Sequence, residues 1–125
     1  MSVSLYFTAV RSVPLSAIEK DAIQKLEAKY AVEEQLLRYA RTGNGLNWES
    51  WCVYDSACPT ARDVIYEGAT ALPDNTEDAC WIGLQHWCLL LSSVRHAVPG
   101  ADWTVHLDDH EIVWDARRAA YDPSR

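Results

Sequence analysis

The chain has 125 residues, 49% hydrophobic and 23% charged, which suits one domain with its own core and argues against disorder. Its formal net charge of −7 argues against a nucleic-acid partner, because phosphate contacts need clustered Lys and Arg. No run of about 18 apolar residues occurs, so no membrane partner is expected. The first residues lack a basic stretch followed by a long apolar one, the pattern of a secretory signal, and a cytoplasmic location is therefore expected.

Charge and aromatic residues are unevenly used. Residues 1–62 carry seven Lys and Arg against seven Asp and Glu, whereas residues 63–125 carry four against eleven. All the net charge sits in the second half, an arrangement suited to a basic partner. Six tryptophans (Trp48, Trp51, Trp81, Trp87, Trp103 and Trp114) supply core volume or interface anchors.

In chain order, residues 3–10 predict a strand rich in β-branched and aromatic residues. Ser16 and Glu19 form a capping box, and apolar residues at helical spacing predict a helix over about 17–30. A second helix is expected over 32–41, stopped by Gly43-Asn44-Gly45. Residues 47–55 and 63–70 read as strands joined by a turn-rich loop at 56–61. The strongest helix opens at 73–76 and ends before Pro99-Gly100. On that helix Asp78, Gln85, Ser92 and His96 share one stripe in an otherwise apolar surface. Such a helix is either buried on most sides or carries an apolar contact patch. Residues 102–107 alternate as a strand, and Ile112-Val113-Trp114 reads as a short returning edge strand. This order predicts a single α+β domain, an antiparallel sheet of four to five strands with helices on one face, on the split βαβ or ferredoxin-like plan.

The stretch His106-Leu-Asp-Asp-His-Glu111 is the most suggestive for chemistry. His106, Asp108 and His110 are of metal-ligand type, but on a flat strand they span about 13 Å, so one ion requires a bend. Glu49 lies between Trp48 and Trp51, where burial would suit a general acid, with Glu67 as its partner carboxylate. Cys52, Cys58, Cys80 and Cys88 fit no zinc spacing and read as reduced, mostly buried thiols. Cys80 lies near a helix start, but Glu77 and Asp78 oppose thiolate formation there. No phosphate loop, nucleophile elbow or zincin motif is present, and no cofactor is implied.

The segments Ser2-Val-Ser-Leu-Tyr-Phe-Thr-Ala9, Asn47-Trp-Glu-Ser-Trp51, Gly83-Leu-Gln-His-Trp-Cys88 and Val105-His-Leu-Asp-Asp-His-Glu-Ile112 resemble a group of small bacterial proteins of unknown function. In size, acidity and α+β plan the chain is also similar to immunity proteins, which neutralise toxins delivered between bacteria. That resemblance implies a protein partner and supplies no catalytic residue. From the residues themselves, Asp108, Asp109, Glu111 and Asp115 are expected to steer a basic cleft into contact, with Trp114 and Trp48 as anchors. The alternatives are a small enzyme or metal or ligand binder using the His106–Glu111 turn, and a structural homodimer.

Overall fold

Alternation in β1 (Ser4–Val10) places Leu5, Phe7 and Ala9 on one side, and all three are buried in the computed structural model, which describes residues 3–54 and 62–124. β1 lies inside a four-stranded sheet and pairs antiparallel with β3 (Val64–Ala71) and β4 (Asp102–His106). β2 (Cys52–Val53) adds a short antiparallel edge to β3, giving the order β2-β3-β1-β4. α1 (Ala17–Lys29) and α2 (Glu33–Thr42) lie between β1 and β2 in sequence, and α3 (Ala79–Ala97) lies between β3 and β4. The order and pairing are those of the split βαβ plan expected from the sequence. The predicted loop 56–61, with Cys58, falls outside the described residues.

The two main helices pack together over one face of the sheet. Ile23 of α1 joins Leu84, Trp87, Leu90, Leu91 and Val94 of α3 in a core with Leu5, Phe7 and Val105. Among the described residues no helix is long and apolar enough to cross a membrane. α1 begins with the predicted box: Glu19 N–H donates to Ser16 Oγ at 3.1 Å, and Ser16 N–H donates to Glu19 Oε1 at 2.9 Å. α2 ends at Gly43, whose φ of 71° is the left-handed conformation that glycine adopts without strain.

The structure departs from the sequence reading at the start of α3, which opens at Ala79 rather than at 73–76, at residues 47–51 and at the C-terminal return. Residues 47–51 are not a strand. Side-chain hydrogen bonds replace the ladder there: Thr70 Oγ1 donates to Ser50 O at 3.1 Å, and Asn47 Oδ1 accepts from Asp74 N–H at 2.8 Å. The C-terminal return is also split. Glu111 bridges His106, and Ile112 N–H donates to Val105 O at 2.8 Å, which covers the end of β4's free edge. The chain then leaves to form a separate hairpin of β5 (Val113–Asp115) and β6 (Ala120–Asp122). That hairpin is fixed to α3, because Ser92 Oγ accepts from Tyr121 N–H at 3.0 Å and the Arg95 guanidinium lies 4.1 Å over the Trp114 ring.

Arg11 joins the exit of β1 to the start of α1 and to the segment before β4. It donates to Glu19 Oε1 at 2.7 Å, to Glu19 Oε2 at 2.9 Å and to Pro99 O at 2.9 Å. Its hydrogen bonds hold the Glu19 carboxyl down at about 2, helped by the Ser16 amide. A carboxyl whose folded pKa is lowered contributes stability that is complete above its unfolded value of 4.5 and is lost as pH falls toward about 2. Denaturation midpoints measured from pH 5 to pH 2 are therefore expected to fall, and Glu19→Gln should flatten that slope.

Gly68 lies opposite Phe7, and a Cβ there would collide with the Cys52 carbonyl oxygen and stand 2.6 Å from Phe7 Cζ. Gly68→Ala is expected to destabilise the fold by about 2 kcal/mol or more, read from urea unfolding.

Candidate functional site

Two loops leave the same end of the sheet. Ser4 pairs with Ala71 and Tyr6 with His106, so β3 and β4 both end beside the start of β1. With β1 between them, these exits are about 10 Å apart. Residues 72–78 leave β3 and open α3, while residues 107–112 leave β4. Asp74, Glu77 and Asp78 are exposed on the first loop, and Asp108, Asp109 and Glu111 on the second. Glu49 is exposed at this end too, where Thr70 Oγ1 fixes the neighbouring Ser50.

Among the described residues the loops are held by neutral groups. Asp74 accepts from Asn47 Nδ2 at 2.7 Å and Asp78 from Thr76 Oγ1 at 3.0 Å. The second loop is closed by Leu107 N–H donating to His110 O at 2.8 Å. Among the described residues none of these carboxylates is in an ion pair. Apolar surface stands beside them. Trp81 and Ile82, in the first turn of α3, are 42% and 38% exposed, and Leu89 further along is 55% exposed.

Of the residues expected at an interface, Asp108, Asp109 and Glu111 are presented to solvent. Trp114, Asp115 and Trp48 are engaged within the molecule. Trp114 is half-buried under Arg95 and packs on Tyr121 at 5.0 Å. Asp115 accepts from Arg117 N–H at 3.0 Å and so closes the β5–β6 turn. Trp48 is half-buried against His86 at 5.1 Å and Trp87 at 6.0 Å.

The metal-type residues are not gathered. His106 stacks on Tyr6 at 5.1 Å and turns Nδ1 to Leu107 O at 2.6 Å, whereas Asp108 and His110 are exposed beyond the strand's end. Among the described residues no three His, Cys, Asp or Glu side chains are placed to hold a metal ion. Glu49 and Glu67 do not form a pair on one face. Glu49 is exposed near Thr70, while Glu67 is buried on the side of β3 opposite Thr70. Burial pushes the Cys88 thiol up to about 12 and raises Cys80 as well, with Asp74 adding to the second shift, so neither is a ready thiolate.

The exposed apolar residues of α3 were within reach of the sequence, since its apolar residues exceed what one buried face holds. Which of them face water was not, because Ser92, read as part of the polar stripe, is buried under the hairpin. No family model matches the chain, and no curated protein or solved structure matches it.

Proposed function

We propose that the protein is a cytoplasmic binding module that covers a basic surface of a partner protein, and that the partner is a toxin domain whose cleft it occludes. One observation carries the reading: exposed Trp81 and Ile82 stand at the end of the sheet where two loops present carboxylates that, among the described residues, are free of ion pairs. The carboxylates steer a positively charged partner, which raises the association rate. Trp81 supplies the desolvated anchor that slows dissociation. Occlusion needs no chemistry.

The test begins with affinity capture of the tagged protein at moderate salt, which is expected to return one stoichiometric basic protein. Against that partner, Asp108→Lys with Asp109→Lys should lower the association rate about tenfold and weaken its salt dependence. Trp81→Ala should raise the dissociation rate about tenfold or more. An acidic partner, or an association rate indifferent to the double reversal, overturns the reading.

A further inference from the structure

A second feature lies at the opposite end of the sheet. Between α1 and the outer side of β3 is a cleft of about 460 Å³, within the range of small-ligand sites. A bulge shapes it: Ala9 pairs with Tyr66 and Val10 with Val64, so Ile65 has no partner on β1 and lines the cleft instead. Leu15, just before α1, and Ile23 of α1 form one wall, and Val53 with Ile65 forms the strand wall. Tyr54, which is 41% exposed, also lines it.

The polar end of this cleft is built. The Tyr66 hydroxyl donates to Glu27 Oε2 at 2.7 Å and accepts from Trp51 Nε1 at 2.9 Å. Tyr66 is buried, and burial raises its pKa, so the phenol stays a donor and fixes the carboxylate. Among the described residues nothing bonds Glu27 Oε1 and no cation pairs with Glu27. Lys20 also lines the cleft, but it is exposed and stands two helical turns away, about 10 Å along α1. The fixed charge is therefore negative, set among apolar walls with two tyrosines in the lining, an environment that favours a cation.

We propose that this cleft binds a small primary amine carried on an apolar body, with the ammonium on Glu27 and the body between Leu15, Ile23, Val53 and Ile65. The site is independent of the acidic end.

The test is titration of the full chain with 2-phenylethylamine, read by calorimetry and by tryptophan fluorescence. Saturable binding with a Kd near or below about 1 mM is expected. Glu27→Gln keeps an acceptor for Tyr66, so the fold is retained, and the affinity should fall about tenfold. Lys20→Ala should leave it unchanged or tighter. 3-Phenylpropionate, which carries a carboxylate on a similar body, should not bind. Equal binding of that acid, unchanged affinity in Glu27→Gln, or no saturable binding at about 10 mM amine overturns the proposal.

Discussion

A stack of three aromatic rings ties the sheet to the helical layer. Phe7 of β1 lies parallel to Trp51 at 4.3 Å, and Trp51 in turn stacks on Trp87 of α3 at 4.8 Å. Offset stacking of this kind adds to the area the rings bury. The stack requires the missing side chain of Gly68, since a Cβ there would meet both Phe7 and the backbone beside Trp51. It also draws residues 47–51 inward, which brings Asn47 to the α3 entrance and sets Glu49 at the acidic end. The same indole donates to Tyr66, so the stack also fixes the polar end of the cleft.

Much of this architecture was legible from local pattern. β1 and β4 follow strict alternation, and the Ser16–Glu19 box marks α1's start correctly because capping is a property of four adjacent residues, although Ile18, placed on α1's apolar face by spacing, is exposed. The α+β plan followed from element order. The errors arose where a side chain in one segment satisfies the backbone of another. Residues 47–51 carry the alternation of a strand, but hydrogen bonds from Thr70 and Asn47 hold them elsewhere, and β2 shrinks to Cys52–Val53. The helix expected to open at 73–76 begins instead at Ala79, with Thr76 Oγ1 donating to Asp78 Oδ1 and no side chain capping the first turn.

The candidate sites were less legible for the same reason. That Asp108 and Asp109 are exposed could be read from a polar turn. That Asp74, Glu77 and Asp78 emerge about 10 Å from them depends on β1 lying between β3 and β4, a long-range fact absent from any window of sequence. Trp114 and Trp48 looked like anchors by residue type. Arg95 and His86 claim them within the fold, and exposure passes to Trp81.

The position of β1 in the sheet also bears on how the chain is made. β1 is synthesised before either of its partners, and its ladder with β4 joins Tyr6 to His106. Until β3 and β4 have left the ribosome, Leu5 and Phe7 have no sheet to enter, and the nascent segment is an unpaired apolar strand with two open edges. Pairing at such separation is slow, because a long loop must close before the contacts form. The capping box of α1 needs no distant partner, but a 13-residue helix is marginal alone, so the early chain holds lasting structure only once β3 arrives to pair with β1.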